Sequence, residues 1–449
     1  MDPRSHLFVV CTLLFSVGQA QQESSYRLRL ELPLLDLPQN TSLPYRIPSM
    51  EQASAWSTGL YELGYWGIDA GVDALIPTTS DAPFGKRLLN GSVNYLAGLG
   101  FARYGSELPV PLGVWAHEEF HRSVLGVNGI AARNGNWIGS RWDGTVYGVS
   151  DQQLSDLKAQ DLNELLYSYV AGVHAELLST ERIIKDAFHH PRSVNMAPLL
   201  LYNSWYVWNY FDFATSAVSD SVKVLAPPHE SADPTQRDFA GADLTAWVYD
   251  MYLPDEPYTA RTPFPNGEGV NRRIGYADLP AEAQQFLKDQ RGLTWMNFAN
   301  PAIAGIDRIR FGGDFAFNVF LQYSPTHFGH MRAVHMPLRI GGKHLHIGAQ
   351  EFVGPHTKGL GLQLEHSGFK LSQHTTLDLA AAIWEQPKSF TATERITGGA
   401  ARAMIGQRMN ESFTLTATAQ FKTDGWMLGD PYLNANATFR FGLVYALGD

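Results

Sequence analysis

From about residue 305 onward, apolar and polar residues take turns along the chain. Phe413, Leu415, Ala417, Ala419 and Phe421 fall on one side of an extended strand, and Thr414, Thr416, Thr418, Gln420 and Lys422 on the other, because successive strand side chains point to opposite faces. Leu360, Leu362 and Leu364 oppose Gly361, Gln363 and Glu365 in the same way. Phe439, Phe441, Leu443, Tyr445 and Leu447 oppose Thr438, Arg440 and Gly442. Roughly eight such segments, separated by turn residues, predict an antiparallel β-meander over 305–449.

Upstream, from about Met50 to Pro301, the spacing is helical. Leu162, Leu165, Leu166, Tyr169, Val173, Leu177 and Ile184 recur at three and four residues, which predicts one helix from about Leu154 to Phe188 with a buried face. Met196 to Val218 is aromatic and apolar but broken by Asn203, Asn209 and Asp212, which fits a core helix rather than a membrane span. Residues 225–237 and 253–275 read as long surface loops able to shape a cleft. Tyr26 to Leu32 alternates as a strand. The expected class is α+β: a mostly helical domain over 21–304, then the β domain over 305–449.

Residues 1–20 read as a secretory signal: Arg4, an apolar stretch from Leu7 to Val17, and Gly18-Gln19-Ala20 at the cleavage site. Cys11 is the only cysteine, so the exported chain has none, a habit of bacterial envelope proteins more than of animal secreted ones. A formal charge of −10 with no Lys/Arg cluster excludes a nucleic-acid partner.

The strand block resembles a bacterial outer-membrane β-barrel, with segments near the length that crosses a bilayer at a tilt. Those proteins usually end on an aromatic residue, whereas here Gly448-Asp449 follows Leu447. The resemblance implies lipid contact and a lumen filled by side chains, hence an anchor rather than a pore. It also implies an envelope location in the outer membrane. Because the N-terminal part is translocated first and the strands are joined mainly by short turns, the helical domain is expected to face the periplasm. A soluble sheet packed on the helices would alternate identically.

His117-Glu118-Glu119-Phe120-His121 carries the chemistry. Residues four apart share a helix face, so His117 and His121 can offer ring nitrogens to one zinc ion, and Glu118 sits where a general base would act. Val114, His117, His121 and Leu125 form an inward stripe, with Glu119 and Arg122 expected on the polar side. Catalytic zinc takes three protein ligands. Glu176, on the face of Tyr169, Val173 and Leu177, is the expected third, and Gly172 one turn earlier would admit a second helix closely. His174 projects to the other side. His189, His190, Asp212 and Glu164 are lesser candidates, and His344 with His346 could form a second site.

The motif and the segment 171–176 resemble the gluzincin metallopeptidases, over roughly 15 residues. That resemblance implies zinc at His117, His121 and Glu176, with Glu118 as base, acting on a peptide or protein substrate. The alternative is a non-enzymatic outer-membrane protein, structural or ligand-binding, whose motif is coincidental or structural.

Overall fold

The structure is a computed structural model describing residues 26–42, 48–79, 81–135, 144–190, 192, 194–225, 227, 229–311 and 314–448. The signal segment, with Cys11, lies outside the described residues. β1 (Tyr26–Leu37) pairs antiparallel with β13 (Asn436–Gly448), from Tyr26 opposite Gly448 to Leu37 opposite Phe439. The helical part is therefore an insertion between β1 and β4 (Ile309–Phe311), and the expected boundary at 305 assigns one strand to the wrong side.

Between these ends the sheet runs β13, β12 (Phe413–Lys422), β11 (Arg395–Arg408), β10 (Thr375–Pro387), β9 (Lys358–Lys370), β8 (Lys343–Val353) and β7 (Gly329–Ile340). β7 then pairs with both β5 (Phe315–Phe317) and β6 (Phe320–Thr326). The described strands of this sheet number eleven. The expectation of eight fell short because β1 joins from the far end of the chain and the stretch 309–326 is broken into three pieces.

The sheet does not close into a barrel, since β1 ends its order on one side and β4 on the other. The helical part supplies partners to backbone groups on β1 at one edge and on β6, beside β7, at the other. On β1, the Arg29 amide donates to Glu62 Oε1 (2.9 Å) and Gln52 Nε2 donates to the Pro33 carbonyl (3.3 Å), both from α1 (Met50–Leu75). On β6, the Tyr323 amide donates to Asn297 Oδ1 (2.8 Å) and the Leu321 amide to the Ala299 carbonyl (3.0 Å).

The predicted long helix is two. Asp161 accepts from the Asn163 and Glu164 amides, so it ends α4 (Asp151–Gln160) and starts α5 (Leu162–His189). An aspartate side chain competing for backbone amides favours a cap over a helix interior. The second half of α5 lies on the inner face of the sheet, where Lys185 pairs with Glu365 (2.6 Å) and Gln322 Nε2 donates to the Leu177 carbonyl (3.2 Å). A helix, not side chains alone, fills the interior.

The two faces of the sheet are inverted relative to a water-soluble protein. Leu360 is 71% exposed, Ile383 64% and Phe421 55%, whereas Glu365, Gln420 and Lys422 are 7%, 6% and 4% exposed. At the rim facing the helices, Phe328, Phe352, Trp384 and Trp426 join one core with Trp115, Phe120, Leu165, Tyr169 and Trp247. A fully buried Leu or Phe side chain contributes about 2 kcal/mol, so this seam holds helices and strand ends together.

Candidate metal centre

The motif helix α3 (Gly113–Val127) is buried on every side from Trp115 to Gly126. Glu119 and Arg122, expected on a polar surface, are 3% exposed each. They pair with one another, while Arg122 also donates to the Pro48 carbonyl and Asn134 Nδ2 donates to Glu119 Oε1 (3.1 Å). A buried ion pair is tolerated when further hydrogen bonds support it; these satisfy Glu119 and two of the three guanidinium nitrogens, leaving Arg122 Nη1 without a partner.

α5 crosses α3 at Gly172. A Cβ there would lie 2.2 Å from Nε2 of both His117 and His121, so only glycine lets the two helices meet with both rings between them. His121 Nδ1 lies 2.6 Å from the Ser168 carbonyl. The carbonyl can only accept, so Nδ1 carries the proton and Nε2 presents its lone pair. His121 Nε2 is buried with no hydrogen-bond partner.

The carboxylate facing these nitrogens is Asp243, the first residue of α7 (Asp243–Tyr252). Its Oδ2 lies 3.2 Å from His121 Nε2 and 3.7 Å from His117 Nε2. Glu176 is placed differently: its Oε1 lies 3.5 Å from His117 Nδ1, on the other edge of that ring. The structure thus brings Glu176 beside the centre, facing the Nδ1 edge of His117 at ion-pair distance. It brings Asp243 to the position expected of Glu176. The reason is geometric, since Gly172 occupies the turn of α5 under the rings and Glu176 lies one turn beyond.

Asp243 is held in place by the loops on either side of it. Gly241 has φ +72°, its amide donates to Asp238 Oδ2 (3.0 Å), and its carbonyl accepts from Arg273 Nη1 (2.5 Å). Arg273 is tied in turn to Glu230 (Nε to Oε2, 2.9 Å). The stretch 253–275, expected as a surface loop, is instead a brace: Arg261 pairs with Asp250 (2.8 Å) and Arg272 with Asp151 (2.8 Å), both arginines buried. α6 (Ala197–Ala214) completes the wall. Tyr210 donates to Asp243 Oδ2, and the Tyr206 and Tyr210 rings stand edge-on to His117 at 5.8 and 5.7 Å.

Electrostatics follow the geometry. Burial opposes charge on His117, but the carboxylates of Glu176 and Asp243 outweigh it and hold its pKa well above the ordinary range. Burial likewise opposes ionisation of Asp243, and the two histidines override it to keep the carboxyl far below its usual pKa. The site is therefore an anionic socket that seeks positive charge. Tetrahedral zinc places ligand atoms about 3.3 Å apart, and Asp243 Oδ2 lies 3.2 and 3.7 Å from the two ring nitrogens. His117, His121 and Asp243 each offer one atom, all within 4.8 Å of one another. These residues fit a single divalent cation.

Other expected residues lie elsewhere. His174 Nε2 contacts the Pro325 carbonyl (2.7 Å), and burial pushes its pKa down to about 3. Asp212 pairs with Arg291 (2.9 Å), Glu164 accepts from Asn128 (3.1 Å), and His189 stacks on His344 at 4.8 Å, with the His190 ring near the same His344. His346 meets His335 and Glu181 rather than His344. The His335 and His346 rings are parallel within 6°, with Nδ1 and Nε2 3.2 Å apart. Because Gln322 uses its amide on Leu177, its Oε1 receives the other nitrogen of His335. A hydrogen-bond chain thus links Gln322, His335 and His346, and Lys185 beside Glu181 (3.2 Å) disfavours a further cation.

The fold is α+β, a helical insertion in an open antiparallel meander. No protein-family model and no curated protein matches the chain. Among solved structures it is similar to the NanC porin, with a TM-score of 0.25 and 6% identity over 31% of this chain and 76% of the porin.

Proposed function

We propose that the chain is a zinc-dependent hydrolase, a metallopeptidase, anchored in an outer membrane by its sheet. The observation that carries the reading is the convergence of His117 Nε2, His121 Nε2 and Asp243 Oδ2 over Gly172, with the Nδ1 of His121 already turned to a carbonyl. His117, His121 and Asp243 would hold zinc, which supplies Lewis acidity and a water acidified towards neutrality. The Ser168 carbonyl fixes the His121 ring from behind, and Glu176 offers its charge to the far edge of His117; such outer partners set ring orientation and ligand basicity. Tyr210 fixes Asp243. Glu118 is buried beside His117 and feels the same field as Tyr206 and Tyr210. Its carboxylate takes the proton of the attacking water and returns it to the leaving nitrogen.

The anchor rests on the inverted faces. Apolar residues of β9 to β13 point to solvent while Glu365, Lys422 and Arg440 point inward, which fits lipid outside and a polar interior. Outward aromatic pairs mark two levels, Phe421 with Phe439 (6.0 Å) and Phe413 with Tyr445 (5.1 Å). The span from Phe413 to Phe421 is about 27 Å along the strand at ~3.4 Å per residue, or ~20 Å after tilting, near the apolar band of such sheets.

The test is Glu118→Gln against wild type on casein and a peptide library, with zinc content measured in both. Zinc retained and turnover lost supports the reading. Equal turnover by both proteins rejects Glu118 as the base, and no turnover by either favours the non-enzymatic alternative.

A further inference from the structure

The connections between strands assign a direction to the sheet. At one rim, β7 joins β8 through Gly341 and Gly342, both at positive φ, as a two-residue hairpin requires. The same rim holds the connections 371–374 and 409–412. The opposite rim holds the short connections 327–328 and 354–357, but also 388–394, 423–435 and the start of the insertion 38–308, whose end returns along the inner face to enter β4 level with Leu338, near the first rim. Register fixes which rim is which: Tyr26 lies opposite Gly448 at the first, and Leu37 opposite Phe439 near the second.

The long connections are built into the helical core. Trp426 and Leu433 of 423–435 and Phe390 of 388–394 join its apolar cluster, and the Asp430 carbonyl accepts from Tyr167 of α5 (2.7 Å). At the first rim Leu371, Gln373, Met409 and Glu411 are exposed. Antiparallel sheets of outer membranes place short turns in the periplasm and long connections outside.

We propose that the helical domain, with the His117–His121–Asp243 centre, stands on the outer face of the membrane, and that its substrate is an extracellular polypeptide. This rests on the membrane reading above and reverses the periplasmic placement expected from the sequence. That expectation took the strands as joined mainly by short turns and the helical part as a domain translocated ahead of the sheet. The structure makes it the largest loop between two strands.

Cys11, the only cysteine, lies in the expected leader, so single cysteines report without background. Asp255→Cys marks the helical domain, while Gln373→Cys and Glu411→Cys mark the first rim. Full-length protein in a Gram-negative host would be treated with a membrane-impermeant maleimide before and after the outer membrane is opened. The proposal expects Asp255→Cys to label fully on intact cells and the other two only after opening. The reverse pattern, or equal labelling of all three on intact cells, overturns it. Release of the protein by an alkaline wash would instead defeat the membrane reading, so the two failures are distinguishable.

Discussion

Gly172→Ala places a methyl group 2.2 Å from Nε2 of both motif histidines, where ordinary contact begins at 3.4 Å. Each ring must withdraw by more than about 1 Å, several times the ~0.2 Å by which zinc–ligand distances vary. Moving His121 also strains its 2.6 Å contact with the Ser168 carbonyl. Overpacking of this kind costs about 1–3 kcal/mol of stability. Loss of ligand geometry should lower zinc affinity by ~100-fold or more, about 2.7 kcal/mol. Competition against a chromophoric chelator reads the affinity, and thermal unfolding in detergent reads the stability. Gly67→Ala is the control: it lies in α1 with nothing within 4 Å of its added Cβ, so it should stabilise by about 1 kcal/mol through helix propensity. A Gly172→Ala protein that binds zinc like wild type would refute the placement of the cation over this glycine.

Asp243→Asn should abolish tight zinc binding, whereas Glu176→Gln should weaken it by only ~10–100-fold, as loss of an orienting partner does; the opposite ranking by calorimetry would restore Glu176 as the ligand. Burial pushes Glu164 up to about 7 against the bond from Asn128. The folded state then holds a proton that the unfolded chain releases, so its contribution is full below about pH 4.5 and is lost as pH rises to 7. The loss is ~3 kcal/mol, and Glu164→Gln should remove that part of the pH dependence of thermal unfolding; an unchanged profile would refute it. Leu415 is 48% exposed on the outward face of β12. Leu415→Arg should cost insertion into vesicles about 2–4 kcal/mol if lipid covers that face, while equal insertion would argue for water there.

Much of this was legible because some constraints are local. Alternation such as Phe413 to Lys422 survives any partner, so the strands could be read. It says nothing of pairing, so β1 could be seen as a strand without being placed beside β13. The interrupted stretch 309–326 escaped because β4 and β5 are too short to show a period, and β6 is buried on both faces and so does not alternate. The His117/His121 spacing is a property of one helix turn and could be read directly. Asp243 could not be found, because an acid opening a helix is usually only favourable to the helix dipole. It becomes a candidate ligand through Gly241, Arg273 and Glu230, all contacts made by the fold. Glu119 and Arg122 misled for the same reason: charge predicts exposure unless a buried partner such as Asn134 is waiting.

The most direct measurement is elemental analysis of the full-length protein after refolding with zinc and exhaustive dialysis, beside a His117→Ala/His121→Ala variant. The account predicts one zinc per wild-type chain and none in a folded variant. A wild-type protein that keeps no zinc, or a variant that keeps as much, would contradict it.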